Sequence, residues 1–243
     1  MRASLALLLL LWSFAAEAQD YQNLIGPAVR SRPAYDGSAS QKTDLVPILD
    51  YEKGHLFART VQGVLEGGAR TNVGSGLKLG GQFAYEEGRK KSESGFLRDN
   101  NVPDIGIGAS IGLHAEWEFK LGPAPVILLG RWRQQLETDR GSQTDARATV
   151  GVFEAGAFKA GVFGQATWGT QRSVRTYYGT PAFSPSGGLM FVSAGLLGSY
   201  DVGKRWSLIG SVERRRLQGD AARSPLVERK SNTTAVAGIA WRF

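Results

Sequence analysis

The sequence predicts an all-β fold: a transmembrane, antiparallel, up-and-down β-barrel of about ten strands, with twelve as the alternative, behind a cleaved signal peptide. Three observations carry this expectation. The chain ends Thr233-Thr234-Ala235-Val236-Ala237-Gly238-Ile239-Ala240-Trp241-Arg242-Phe243. Successive side chains of a strand point to opposite faces, so Ala235, Ala237, Ile239, Trp241 and Phe243 form one wholly apolar face. Aromatic girdles sit where the outside of a membrane barrel passes from hydrocarbon to water, and Trp241 and Phe243 supply such a pair as a membrane-insertion terminus. Second, Met1-Arg2, the apolar run 5–14 and Ala16-Glu17-Ala18 read as a secretory signal peptide cut before Gln19. Third, residues 19–243 hold no other apolar run long enough to span as a helix, which takes about 20 residues. Only helices and closed barrels satisfy every backbone group in lipid.

Composition agrees. The chain has 32 glycines and a mean hydropathy of -0.20, as suits short strands whose faces alternate. There is no cysteine, which excludes disulfides and thiolate chemistry. The net charge is +7 and stays so without Arg2 and Glu17. Those charges are scattered and form no basic stripe, so nucleic acid is not the expected partner. Attraction to anionic outer-membrane lipid and lipopolysaccharide is a better use for them.

The elements follow in order. Residues 22–33 (QNLIGPAVRSRP) have strand-like residues broken by two prolines, which cannot donate to a ladder. A turn-rich loop holds Tyr35-Asp36-Gly37-Ser38. Residues 43–51 and 55–65 read as a hairpin joined at Glu52-Lys53-Gly54, with blurred alternation in the second arm. From Thr71 the pattern clears: Val73, Leu77, Leu79, Phe83 and Tyr85 oppose Asn72, Lys78, Gln82 and Glu86. Residues 104–120 alternate most sharply, with Ile111, Leu113, Trp117 and Phe119 opposite Ser110, His114, Glu116 and Glu118. Residues 126–136, 146–157, 158–170, 187–202, 206–213 and 233–243 complete the set. Gly122, Gly156 and Gly203 mark tight turns, whereas 87–102, 138–145, 172–186 and 218–231 are long and polar. Short periplasmic turns and long external loops are the asymmetry of outer-membrane barrels. Counting back from a periplasmic Phe243 keeps every long loop outside over ten strands. The expected division is therefore 1–18 signal peptide, 19–42 an N-terminal arm or first strand, and 43–243 the barrel.

His114 shares its face with Ser110, Glu116 and Glu118, the residue types of an acyl-transfer triad. Along one strand Ser110 and His114 stand roughly 13 Å apart, beyond hydrogen-bond reach, so polar lumen lining is the expected role. No catalytic, cofactor-binding or metal residue is expected. Lys78, Glu86, His114, Glu116, Glu118, Arg131, Arg133, Lys159, Arg205 and Glu213 interleave both charges on inward faces. In a small barrel such groups pair across the lumen, closing it or leaving a narrow pore.

The segment Leu217-Gln218-Gly219-Asp220-Ala221-Ala222-Arg223-Ser224-Pro225-Leu226-Val227 resembles the L-x-G-D-A-x-x-S-P-[LI]-V signature of the MipA/OmpV family of outer-membrane proteins. In matching order stand Tyr35, Gly37 and Ser38, Pro47 before Tyr51, Gly88-Arg89, and Tyr177-Tyr178-Gly179-Thr180 where the family tends to Y-F-G-V. The resemblance covers residues 21–243. It implies a Gram-negative outer-membrane barrel without an enzymatic site. It also implies a scaffold linking the membrane to a peptidoglycan hydrolase (a lytic transglycosylase) and a synthase (a penicillin-binding protein). The alternative is a narrow channel, or a small-solute-binding or adhesin barrel. The signature residues Tyr35, Gly37, Ser38, Tyr177, Gly179, Gly219, Asp220, Ser224 and Pro225 carry no assigned role.

Overall fold

A computed structural model describes residues 23–61 and 64–243. The signal-peptide segment lies outside the described residues. The chain forms a closed antiparallel barrel in which each strand pairs with its sequence neighbours and the last pairs with the first. The strands are β1 (Leu24–Pro33), β2 (Gln41–Lys53), β3 (Leu56–Val61), β4 (Val64–Gly74), β5 (Leu77–Glu86) and β6 (Gly108–Leu121). They continue with β7 (Ala124–Gln135), β8 (Ser142–Ala155), β9 (Phe158–Gly169), β10 (Gly188–Val202), β11 (Trp206–Leu217) and β12 (Ser231–Arg242).

Closure explains the layout. A sheet edge exposes unpaired N–H and C=O groups, and hydrocarbon offers them no partner. β1 removes the edge by pairing with β12 from Leu24↔Arg242 to Ser31↔Ala235. Every strand adds at least one exposed large apolar side chain to the outside, among them Val29, Leu45, Phe83, Leu113 and Leu196. The inside is polar, with Glu66, Arg70, Glu116, Arg131, Asp145 and Thr167 buried. This inverted distribution is that of a membrane barrel.

The alternative count of twelve strands is the correct one, and two differences separate it from ten. Residues 24–33 are in the wall, so the N-terminal arm is β1 and the barrel begins before residue 43. Pro27 and Pro47 stand directly opposite each other in an otherwise regular ladder. Such a pair must be of the non-hydrogen-bonded kind, so neither proline interrupts β1–β2 bonding. Pro27 faces β12, and pairing lapses there at Gly26 and Pro27 before resuming in the same register at Ala28↔Gly238. Gly26 accepts the close approach of β12: a Cβ there would lie 2.0 Å from the Ile239 carbonyl oxygen. Pro47 faces the β3 side, where among the described residues β2 pairs with β3 only from Asp50↔Arg59 to Lys53↔Leu56. Both prolines thus occupy positions where no donor is required.

The second difference lies in residues 55–86, read from sequence as two strands. They form three, because β3 has only 6 residues and the chain turns again at Ser75-Gly76. Ser75 has φ 50°, a left-handed value that non-glycine residues seldom adopt, and nothing in the apolar alternation announces it.

The short turns gather at one end, with Gly54, Gly122, Gly156 and Gly203 all at positive φ. Trp241 stacks on Phe243 there, 5.1 Å apart, and Tyr51 lies beside Phe243 at 6.3 Å. The long loops gather at the other end and carry the helices, α1 (Gly95–Asp99) and α2 (Gln171–Tyr178).

Gly76 tests the turn assignment. It has φ 78°, and a Cβ would lie 2.1 Å from the Glu118 carbonyl oxygen, whereas Gly54 at φ 59° has open space around it. Gly54→Ala should therefore cost only the backbone penalty, roughly 1–2 kcal/mol. Gly76→Val adds a backbone clash and should lower the folded fraction well beyond that. Urea titration in detergent, read by heat-modifiable gel mobility, separates the two; equal losses would refute the turn geometry.

Candidate functional site

The lumen is crossed by one connected chain of ion pairs. It starts with Glu52 on β2, which accepts from Arg70 on β4. Arg70 Nη1 donates to Glu116 Oε1 on β6 at 2.7 Å, and Arg59 Nη1 on β3 donates to Glu116 Oε2 at 2.5 Å. Arg59 Nε also reaches Glu66 Oε1 at 2.8 Å, its direct cross-strand partner in the β3–β4 register. Glu66 Oε2 takes Arg131 Nη1 of β7 at 2.8 Å, and Arg131 Nη2 lies 3.3 Å from Asp145 Oδ2 on β8. Asp145 shares that oxygen with Arg133 Nη2 at 3.0 Å, and Arg133 Nη1 ends the chain on Glu86 Oε1 at 2.5 Å. Ser110 and Gln82 donate to the same Glu86 Oε1 and Glu66 Oε2 atoms that take Arg133 and Arg131, and Thr167 donates to the other Asp145 oxygen, Oδ1.

Alternation puts these side chains inside, and their length carries them across. Buried charges are tolerable only when paired and hydrogen-bonded, and the planar guanidinium fork meets two carboxylates at once. Removing one partner from such a buried set typically costs about 3–5 kcal/mol.

At the long-loop end the loops dock on one another as a lid, and the signature residues make the contacts. Gly37, at φ 100°, turns residues 34–40 so that its carbonyl accepts from Glu228 N and Arg229 N, both at 2.9 Å. Its own N–H donates to Asn232 Oδ1 at 3.0 Å, and Asn232 Nδ2 returns a bond to Ser38 O at 2.8 Å. Tyr35 donates to Leu226 O at 2.9 Å. Burial and the neighbouring Glu228 carboxylate push the Tyr35 phenol up, so it stays a neutral donor. Ser224 donates to Tyr178 O at 2.6 Å, and burial raises the Tyr178 phenol as well. Tyr177 O accepts from Arg89, whose guanidinium lies 5.8 Å from the Tyr35 ring centre. The Asp220 carboxylate accepts from Ser186 N at 2.7 Å, which holds it below the usual range. That contact is present at neutral pH and lost as pH falls through the lowered value.

Gly219 lies at φ 50°, Gly179 has the Arg175 carbonyl beside it, and Pro225 is exposed. Two small apolar cores fasten the loops: Val174, Tyr178, Met190, Phe191, Leu217 and Ala221, and separately Ala34, Tyr35, Leu97, Val102 and Leu226.

Between the ion-pair chain and the lid is a cavity of about 460 Å³. Its lining holds seven arginines against five carboxylates.

The triad residue types do not assemble. His114 is buried edge-on to Phe57 at 4.9 Å, its ring nitrogens have no hydrogen-bond partner, and Ser110 donates to Glu86 instead. Among the described residues no group of three His, Cys, Asp or Glu side chains is placed to hold a metal ion. Of the inward set, Glu86, Glu116, Arg131 and Arg133 join the chain; Lys78 pairs with Glu118 at 2.9 Å toward the short turns. Lys159 pairs with Glu154 at that exposed end, outside the chain. Sequence reasoning missed Arg59, Glu66 and Arg70, which lie where the alternation is blurred. It also missed Asp145 and Arg147. Placing the β3–β4 hairpin would have revealed Arg59 opposite Glu66.

Several solved structures match the chain at low identity and with TM-scores below 0.5. An outer-membrane channel from Pseudomonas putida F1 matches with TM-score 0.48 and 12% identity, over 95% of this chain and 98% of that one. The β domain of the Bordetella autotransporter BrkA matches at 0.42 and 14%, over 92% and 100%. The NanC porin matches at 0.43 and 6%, over 92% and 100%. No curated protein matches the chain. The family model described as "MltA-interacting protein MipA" matches residues 25–243, nearly the whole sequence and every strand but the first residue of β1. The chain is therefore a transmembrane β-barrel belonging to the MipA family.

Proposed function

We propose that this outer-membrane barrel works by contact, as a scaffold holding peptidoglycan-remodelling enzymes at the membrane. A lytic transglycosylase is the first partner, as the family description indicates, and a penicillin-binding synthase is the second. The observation that carries this reading is the ion-pair chain that runs across the lumen from β2 to β8, with the long loops docked on one another above it. A passage for bulk solutes needs neither. The site chemistry also favours a non-enzymatic role, since the one buried histidine has no hydroxyl or carboxylate on its ring nitrogens.

In this reading the short-turn end faces the periplasm and the long loops face outward. Arg214 and Arg216 then continue the outward face of β11 beyond Val212 and are exposed there. That is where the phosphates of lipopolysaccharide would meet the barrel. On this proposal the Trp241–Phe243 stack lies at the opposite, periplasmic interface and serves as the insertion terminus.

Three measurements test this. Pull-down with the mature, folded protein from envelope extracts should recover a lytic transglycosylase; recovering no murein hydrolase or synthase would sink the scaffold reading. In planar bilayers the wild type should show no steady porin-like conductance. The double variant Glu66→Gln/Arg131→Gln, which keeps charge balance while cutting the chain, should open conductance at least several-fold; an open wild-type pore contradicts this reading. Deleting Phe243 should reduce the yield of heat-modifiable barrel in membranes several-fold while leaving refolding in detergent largely intact. Unchanged yield removes the terminus from insertion.

A further inference from the structure

The ion-pair chain satisfies the lumen on the side of β2 to β8, but one arginine of the cavity is left over. Arg30, Arg32, Arg131, Arg133 and Arg215 each pair with a carboxylate, and Arg89 donates to the Tyr177 carbonyl. Arg147, on β8, has no carboxylate within ion-pair distance among the described residues. Its Nε donates to Thr149 Oγ1 at 3.3 Å, its guanidinium lies over the Phe163 ring at 3.9 Å, and its Nη1 is buried without a partner. The cross-strand neighbour Gln165, itself 7% exposed, holds an unpartnered side-chain carbonyl oxygen. Arg131 Nε and Arg133 Nε, on the same cavity wall, are likewise unpartnered.

A guanidinium braced on an aromatic face, with Glu213 in the same cavity held by Arg215 and not within ion-pair distance, is set to receive an anion. The remaining polar atoms, an acceptor on Gln165 and donors on the two arginines, call for hydroxyl groups on the same ligand. Leu197 and Val236 add an apolar strip to the lining. Its volume of about 460 Å³ lies in the range of small-molecule sites, roughly 300–1,000 Å³. The lining reaches Thr60, Val61 and Val64 at the top of the β3–β4 hairpin, where the wall is lowest and, among the described residues, β2 lacks a second neighbour.

We propose that this cavity is a binding site for a small polyhydroxylated organic anion, a sugar acid or sugar phosphate, with its charged group on Arg147. The site does not depend on the scaffold reading, and a failed pull-down leaves it standing.

Isothermal titration of the folded full barrel in detergent tests it, with glucuronate, glucose 6-phosphate and neutral glucose as probes. One or both anions should bind, and the stronger identifies a carboxylate or a phosphate as the preferred group. Glucose should bind at least about tenfold more weakly, and Arg147→Gln should lose about tenfold or more of the anion affinity. Arg147 lies outside the ion-pair chain, so this variant should retain its heat-modifiable mobility. Phe163→Leu keeps the charge but removes its platform and should weaken binding several-fold, which covers the case in which Arg147→Gln does not fold. The proposal is overturned if neither anion binds up to about 10 mM, or if glucose binds equally. It is also overturned if the two variants bind like the wild type, or if chloride at about 0.15 M abolishes all binding, which would leave only a simple ion site.

Discussion

The structure rests on the need to keep charge inside a tube whose outer surface is committed to lipid. Alternation gives every strand an inner face, and a chain that puts its apolar residues outward has mainly polar ones left for the interior. Glu66 illustrates the outcome: it is 2% exposed, yet its two oxygens take guanidinium groups from β3 and β7 and an amide from β5. Because each arginine meets two carboxylates and each central carboxylate two arginines, no member can be removed without stranding its neighbours. The lumen is therefore a core in the energetic sense, although hardly an apolar one.

This polar core and the two apolar clusters under the loops divide the labour. The ion pairs tie strands that are not neighbours, such as β3 to β6 and β4 to β7, and so set the cross-section of the barrel. The loop clusters, with the Tyr35, Asn232 and Ser224 hydrogen bonds, fix the mouth. Between them the cavity is left with Arg147 unpaired, whereas Arg30, Arg32, Arg131, Arg133 and Arg215 around it each meet a carboxylate. A stability argument gives no reason for that difference; a ligand does.

Much of this was legible in the sequence. Residues 104–120 and 187–242 alternate cleanly because each strand there faces lipid on one side and lumen on the other. Only one rule governs them. Two regions obey a second rule and were misread. In residues 22–33 the prolines argue against a central strand, yet each sits where the ladder asks for no donor, a fact visible only once Pro27 and Pro47 are seen opposite each other. In residues 55–86 the strand break at Ser75-Gly76 depends on a left-handed backbone that hydropathy does not register. The site was half legible for the same reason: Arg131, Arg133, Glu86 and Glu116 lie in clean strands, whereas Arg59, Glu66 and Arg70 lie in the blurred one. The signature motifs gave position without role, since the contacts that explain them join different loops, and those of Tyr35, Gly37 and Ser38 join residues nearly the whole chain apart.

That separation carries a consequence for biogenesis. Tyr35 meets Leu226 and Gly37 meets Asn232, contacts 191 and 195 residues apart, and β1 completes the wall only against β12. Contacts of such span cannot form until the final strand has arrived, and ordering so long a loop is slow. The Gly37–Asn232 contact of the lid and the β1–β12 seam thus join the same two ends of the chain, and a barrel without its last strand would lack both.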